Sequence, residues 1–286
     1  MMRFRFIDGK KAFYPVHRLC KVMAVSQSGY YAWASRPASQ RQRDDMVFLA
    51  HIRSLHVRNH CAYGRKRMTE ELKDQGITIG ERRVGRLMQD NGIHVVRTRK
   101  FKHTTDSNHN HKVAPNLLDG DFQATAPNQK WAGDISYLWT LEGWLYLAVI
   151  IDLFSRRVIG WAVSDRLKRD LPIEALKRAI ALRQPPPGVI HHSDRGSQYC
   201  SNDYQTLLED HDFLVSMSGK GNCYDNACVE TFFKSLKAEL IWRNQYETRA
   251  QAQNDLFSYI NGFYNPRRRH SYLGNISPVK YESMAA

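Results

Sequence analysis

Residues 131–164 read WAGDISYLWTLEGWLYLAVIIDLFSRRVIGWAVS, and this stretch decides the fold. Three runs rich in Val, Ile, Leu, Trp and Tyr, at 131–139, 144–151 and 157–164, are joined by the short turns LEG and LFSRR. β-Branched and aromatic residues fit pleated strands, and turns this short connect antiparallel neighbours. The stretch therefore predicts an antiparallel meander. If the first two strands pair through LEG, Trp131 lies opposite Asp152. Asp134, an odd number of residues from Trp131, then points to the other face of the sheet. A register slip of one residue would reverse this assignment.

Working downstream, the pattern alternates. A helix over about 170–183 leads through Pro185, Pro186 and Pro187 into an apolar strand, Val189–His192. A helix over 201–210, a strand at Phe213–Ser216, a Gly/Asn-rich loop SGKGNCYDN and the helix NACVETFFKSLKAEL follow. Three antiparallel strands, then alternating helix and strand, give an α/β mixed sheet flanked by helices, the ribonuclease H-like plan. In the last helix Val229, Phe232, Phe233, Leu236 and Leu240 form the buried stripe, and Glu230, Lys234 and Lys237 a second stripe.

Working upstream, 98–130 is polar, rich in Asn and His and without sustained period, which reads as a linker. Before it, Pro15–Met23 reads as a short helix, and AVSQSG turns into Tyr30, Tyr31 and Trp33, a helix-turn-helix pattern. A second helical pair lies in YGRKRMTEELKDQGITIGERRVGRLMQDNGI, where Val84, Leu87 and Met88 make the apolar stripe and Arg82, Arg83 and Arg86 the polar side. The expected organisation is a mostly helical DNA-binding region at 1–97, the linker at 98–130, a catalytic core at 131–245 and a helical basic tail at 246–286.

Of 286 residues, 42% are apolar, enough for a packed core, and the net charge is +14. Residues 1–118 hold 23 Lys+Arg against 9 Asp+Glu, whereas residues 119–286 hold 19 against 19. The positive excess is thus N-terminal, as a polyanion-binding region would require, and a near-neutral part is left to accommodate a carboxylate site. No apolar run is long enough to span a bilayer and no signal-peptide h-region is present, so a soluble, cytoplasmic protein is expected. Five cysteines without a CxxC pair argue against a disulfide framework. His56 and His60 have helical i, i+4 spacing with His51 and Cys61 nearby; this fits a zinc site or histidines at a surface.

Three carboxylates concentrate the functional signal. Asp134 lies inside a strand between bulky apolar residues, Asp194 follows an apolar strand in GVIHHSDRGSQY, and Glu230 lies on a helix. An isolated charge in the first position would be costly, and clustered carboxylates repel one another, so a raised pKa or a divalent cation is expected. An all-oxygen set suits Mg2+, with Mn2+ as a substitute, and two such ions can polarise a phosphate and stabilise a departing oxygen. Arg195, His192, Asn222 and Asn226 flank the site, either orienting ligands or serving the backbone; Asn226 is well placed as an N-cap.

WAGDISYL, YLAVIIDLFSRRVIGW, HHSDRGSQY, GNCYDNACVETFFKSLK and FYNPRRRHSYLGNISPVKYE together resemble the OrfB-type transposases of bacterial insertion sequences, whose core is integrase-like. The likeness extends upstream through CAYGRKRMTEEL and SNHNHKVAPNLL. It implies that Asp134, Asp194 and Glu230 bind catalytic metal, and that Lys237, seven residues after Glu230, contacts DNA. It further implies DNA cleavage at element ends, transfer of the freed 3′-hydroxyl, a homo-oligomer assembled on DNA, and an upstream-frame OrfA-type protein or fusion as partner. The run Arg267, Arg268 and Arg269 is expected to touch DNA or to be solvated. A nuclease without strand transfer and a non-catalytic DNA-binding regulator are the competing readings.

Overall fold

The computed structural model describes residues 2–96, 114–219 and 226–285. Six helices come first: α1 (Met2–Lys10), α2 (Val16–Val22), α3 (Gln27–Ala34), α4 (Gln40–Arg58), α5 (Arg65–Asp74) and α6 (Glu81–Asp90). Three strands follow, β1 (Lys130–Thr140), β2 (Gly143–Asp152) and β3 (Val158–Ser164). The chain continues through α7 (Asp170–Arg183), β4 (Ile190–Ser193), α8 (Asn202–Glu209), β5 (Leu214–Met217) and α9 (Ala227–Glu239). It ends with α10 (Arg249–Phe257), a π-helical turn over Ser258–Tyr264 and α11 (Pro278–Ser283).

The chain divides into two compact units, Met1–Ile52 and Arg53–Ala286. In the first, Ile7, Cys20 and Tyr30 are buried among Phe4, Val16, Leu19, Met23, Val25 and Trp33. The Tyr30 hydroxyl donates to Asp8 at 3.0 Å. The Ser26 hydroxyl accepts from the Gly29 amide at 3.1 Å and so caps α3. The helix, turn and helix expected between Pro15 and Trp33 are present as α2 and α3.

The second unit is built on a mixed five-stranded sheet ordered β3-β2-β1-β4-β5. The pairs β1–β2 and β2–β3 are antiparallel, and β1–β4 and β4–β5 are parallel. The register matches the expectation: Trp131 pairs with Asp152 and Asp134 with Val149. Period-2 alternation then sends the two sets of side chains to opposite faces. Ala132, Leu138, Leu147 and Val149 join the α9 core with Val229, Phe232, Phe233 and Leu236. Trp131, Ala148 and Ile150 join the α7–α8 core with Ala175, Ala179 and Tyr204. Helix α7 lies very close to β3, because a Cβ on Gly160 would stand 2.2 Å from the Ala175 carbonyl oxygen. Only glycine permits that approach.

Three expected boundaries need correction. The division falls at Ile52, not near 97, because α5 and its neighbours are fastened to the C-terminal segment. Tyr63 donates to the Arg267 carbonyl at 3.2 Å and accepts from the Arg269 amide at 2.8 Å. The core does not stop at 245 either: Tyr246, Leu256, Tyr259, Ile260, Phe263 and Tyr264 are part of the α9 core. Residues 114–129, assigned above to a linker, also pack. Leu118 is buried in the α9 core, Leu117 N donates to Ser216 Oγ at 2.9 Å and Met217 N to the Pro115 carbonyl at 3.2 Å. Most of the remaining expected linker lies outside the described residues.

Candidate active site

Asp134 and Asp194 meet because of strand register. The parallel pair aligns Lys130 with Ile190, Trp131 with His191 and Ala132 with His192. Asp134 and Asp194 each lie two residues beyond the last paired residues, Ala132 and His192, so both follow the same end of the β1–β4 ladder. Asp134 Oδ1 accepts from the Ile135 amide at 2.7 Å, and Asp194 Oδ1 from the Gly196 amide at 2.9 Å. A Cβ at Gly196 would press to 3.0 Å from that same Asp194 oxygen, so glycine leaves the carboxylate its room.

The electrostatics identify a shared neighbourhood. Burial pushes the Asp134 carboxyl well above the ordinary carboxylate range; the charge of Asp194 raises it further and that of Glu230 adds to the rise. The Ile135 amide and the Lys237 ammonium act the other way. This is the raised carboxyl expected of clustered acids. Glu230, in the first turn of α9, keeps 32% of its side chain exposed and lies 3.6 Å from Lys234 Nζ. Lys237 is only 7% exposed, and burial lowers its pKa to about 8 while the Asp134 charge opposes the drop. It therefore sits apart from the solvated stripe of its neighbour Lys234 and faces the acids.

Below the carboxylates lies a residue that the sequence reading does not single out. Tyr199 is buried with its hydroxyl lacking a hydrogen-bond partner among the described residues. Burial raises its pKa, and the charges of Tyr204, Asp134 and Asp194 raise it further. Its place at the end of HHSDRGSQY, five residues after Asp194, is the signal that marks it.

The supporting residues divide. His192 Nδ1 lies 2.8 Å from Ser216 Oγ, tying β4 to β5 behind Asp194. Arg195 Nε donates to the Ser218 carbonyl at 2.5 Å. Asn226 precedes α9 but makes no capping hydrogen bond; its Nδ2 reaches the Gly133 carbonyl at 3.4 Å, beside Asp134. Its buried Oδ1 has no partner among the described residues. Asn222 lies outside them.

The arginines also separate. Arg82 and Arg86 are exposed on α6, Arg86 lying 3.5 Å from Asp90, and Arg83 is half-buried. Arg267 is exposed. Arg268 and Arg269 are not available to DNA or solvent as expected. Arg268 is 7% exposed, with Nε 2.8 Å from Glu239 Oε2, and that oxygen also accepts from the Tyr259 hydroxyl at 2.7 Å. Arg269 is buried between Glu71, at 2.8 Å, and Asp74. Both arginines hold the fold together, because a buried guanidinium is stable only when its donors are matched.

Asp152 also has a structural role. It is fully buried on the Trp131 side of the sheet, accepting from the Asn128 and Phe154 amides at 2.9 Å each, with Arg183 at 3.8 Å. Among the described residues no three His, Cys, Asp or Glu side chains converge closely enough to hold a metal ion. That removes the zinc reading for His51, His56, His60 and Cys61. The His60 ring packs instead against Phe263, with centroids 4.5 Å apart. It also shows that Asp134, Asp194 and Glu230 influence one another without forming a closed cluster.

Comparison with known proteins places these features in a family. Residues 124–223 match the family described as "Integrase core domain", 42–101 match "HTH-like domain", and 230–285 match a further "Integrase core domain". The chain is 44% identical over 288 residues to "Transposase InsF for insertion sequence IS3A" of Escherichia coli, covering 99% of each chain. It is 44% identical over 272 residues to "Insertion element IS600 uncharacterized 31 kDa protein" of Shigella sonnei, covering 94% of this chain and all of that one. Among solved structures, the HTLV-2 integrase catalytic core domain in complex with magnesium is 18% identical with a TM-score of 0.43, over 55% of this chain and 97% of that one.

Proposed function

Because the chain belongs to the insertion-sequence transposases that carry an integrase core, we propose that Asp134, Asp194 and Glu230 are its catalytic carboxylates, acting in DNA cleavage and 3′-hydroxyl strand transfer. The protein acts on DNA as a polynucleotidyl transferase. One observation carries the residue assignment: the charges of Asp194 and of Glu230 both raise the Asp134 carboxyl, with the two aspartates following the same end of the β1–β4 ladder.

The donor chemistry suits a divalent cation, although in the chain alone the three carboxylates are not drawn into a closed ligand set. An Asn226 oxygen and a Tyr199 hydroxyl without partners among the described residues, and the repulsion that Asp194 and Glu230 exert on Asp134, favour a compensating positive charge. Asp134, Asp194 and Glu230 would hold Mg2+, or Mn2+ in its place, as two ions. When bound, such ions neutralise the acids and polarise the scissile phosphate. The chain's own residues do the rest. Lys237, buried beside Asp134, holds a phosphate of the DNA near the acids, and Lys234 extends that positive edge toward solvent. Arg195, tied to Ser218, fixes the loop after Asp194, and Asn226 fixes the start of α9 on β1. Arg82, Arg83 and Arg86 on α6 and Arg267 in the C-terminal segment supply further DNA contacts.

The protein works as a homo-oligomer on paired element ends in the bacterial cytoplasm, with an upstream-frame OrfA-type protein or fusion supplying recognition of the ends. No helix among the described residues is long and apolar enough to cross a membrane. A strand-transfer assay on labelled element-end DNA tests the reading, comparing wild type with Glu230→Ala in Mg2+ and in EDTA, with and without the upstream-frame protein. Joined products that require both Glu230 and metal are expected. Cleavage without joining would assign a nuclease, and DNA binding alone, with the upstream-frame protein present, a regulator.

A further inference from the structure

Lys237 belongs to two places at once. Besides feeling the charge of Asp134, it lines an open cleft of about 780 Å³ with Tyr137, Trp139, Trp144, Trp242 and Tyr246. The rings of the β1–β2 hairpin are set edge to face: Trp139 and Trp144 have centroids 4.9 Å apart at 77°, and Tyr137 and Trp144 5.0 Å apart at 86°. Tyr137 is 37% exposed, Trp139 55% and Trp144 44%, so much of their surface is left to water. Lys237 Nζ stands 5.6 Å from the Tyr137 ring centre.

The cleft is built rather than incidental. The hairpin tip is fastened to the segment before α10: Leu141 N donates to the Tyr246 carbonyl at 2.9 Å and Arg249 Nε to the Trp144 carbonyl at 3.1 Å. The Arg249 amide donates to Glu142 Oε2 at 2.7 Å, and Thr140 Oγ1 to the Gly143 carbonyl at 2.8 Å. Gly143 takes φ +107° to close the turn, a conformation that L side chains rarely adopt. The aromatic rings are therefore held in place before anything binds.

We propose that this cleft receives an unpaired nucleobase at a DNA end, stacked on the hairpin aromatics, while Lys237 meets the adjoining phosphate. This deepens the DNA-processing reading above and rests on it. Three observations select the occupant. The volume is that of a small-ligand site and accommodates a nucleotide. Exposed aromatic faces beside one ammonium match a base and its phosphate, and stacking of this kind tolerates any base. Lys237 both lines the cleft and feels the charge of Asp134, so a phosphate it holds lies on the side of the cleft nearer that carboxylate. A base paired inside a duplex has both faces covered and a terminal pair frees only one, so an unpaired base gains most from these rings and is the occupant proposed.

The test measures binding of the full-length protein to a short blunt duplex of arbitrary sequence and to the same duplex ending in a few unpaired thymines. Wild type should prefer the frayed probe by roughly tenfold, the size expected of one or two stacked bases, and this preference should persist as salt is added because stacking releases no counterions. In the double variant Trp139→Ala, Trp144→Ala the two affinities should become nearly equal, whereas Trp139→Phe with Trp144→Phe should keep most of the preference. A wild type without preference, or an alanine variant that retains it, overturns the proposal. So does an alanine variant that changes only the oligomeric state in sedimentation, which would make the cleft a contact between copies. Failure of wild type to join DNA in the strand-transfer assay would sink the transposase assignment instead, while a frayed-end preference that follows the tryptophans would leave the cleft assignment standing.

Discussion

Asp194 and Asp134 each lie two residues past the last pair of the parallel β1–β4 ladder, and after burial the charge of Asp194 is the largest influence raising the Asp134 carboxyl. The arrangement is unfavourable for the folded chain alone and useful for chemistry with a cation. Asp194→Asn, which keeps an oxygen for the Gly196 amide, removes the like charge and lowers the Asp134 pKa toward its ordinary value. Keeping Asp134 ionised at pH 7 then costs less. Urea denaturation in EDTA should show the variant more stable by on the order of 1 kcal/mol, since one pKa unit is worth about 1.4 kcal/mol, while Mg2+-dependent joining is lost. A less stable variant would show that the two carboxylates do not repel.

Among the described residues Lys237 is the one buried lysine, and it feels the charge of Asp134. Lys237→Met keeps the stem and removes the desolvated ammonium. It should leave folding stability unchanged or slightly raised, yet weaken duplex binding and reduce the salt slope by about one contact. Titration of labelled duplex at several salt concentrations checks this; an unchanged slope would mean that Lys237 holds no phosphate.

Arg268 and Glu239 form a buried pair whose removal leaves a charge without compensation. Arg268→Ala should destabilise the fold by about 3–5 kcal/mol. The exposed neighbour Arg267→Ala should move stability by no more than about 0.5 kcal/mol while weakening DNA binding. Equal thermal shifts for the two would return Arg268 to the surface.

A buried histidine, His191, and a half-buried one, His270, make the fold acid-sensitive. Burial lowers His191 to about 3 and His270 to about 2, the latter helped by Arg268, Arg67 and Arg156. Their folded pKa values lie below the unfolded value of about 6.5, so below that pH the unfolded chain binds more protons. Stability should be complete above pH 6.5 and fall progressively as pH drops toward 3. His270→Phe should flatten part of that slope in urea titrations between pH 7 and 4. A slope identical to wild type would show that His270 is protonated in the folded state.

The local chemistry of the strands carried most of the fold. The turns LEG and LFSRR could only close antiparallel pairs, and that set Trp131 opposite Asp152 with Asp134 on the other face. The apolar spacing of Val229, Phe232, Phe233 and Leu236 likewise determined which side of α9 is buried. These are periodic signals, written in neighbouring residues, and they needed no knowledge of distant segments.

Tertiary packing alone decided what became of the charges. Lys237 and Lys234 read alike on a helical projection, yet one is buried against Asp134 and the other is half-exposed. Arg267, Arg268 and Arg269 read as one basic run, yet the last two turn inward to Glu239, Glu71 and Asp74, the acids of Arg269 lying nearly two hundred residues away in the chain. The aromatic cleft exists only because the hairpin tip is fastened to Tyr246 and Arg249. Sequence by itself determined the antiparallel meander and its register and marked Asp134, Asp194 and Glu230 as candidates, since alternation and helical period are local. Which cations face DNA and which hold the fold depended on partners remote in sequence, and only the folded chain brings those together.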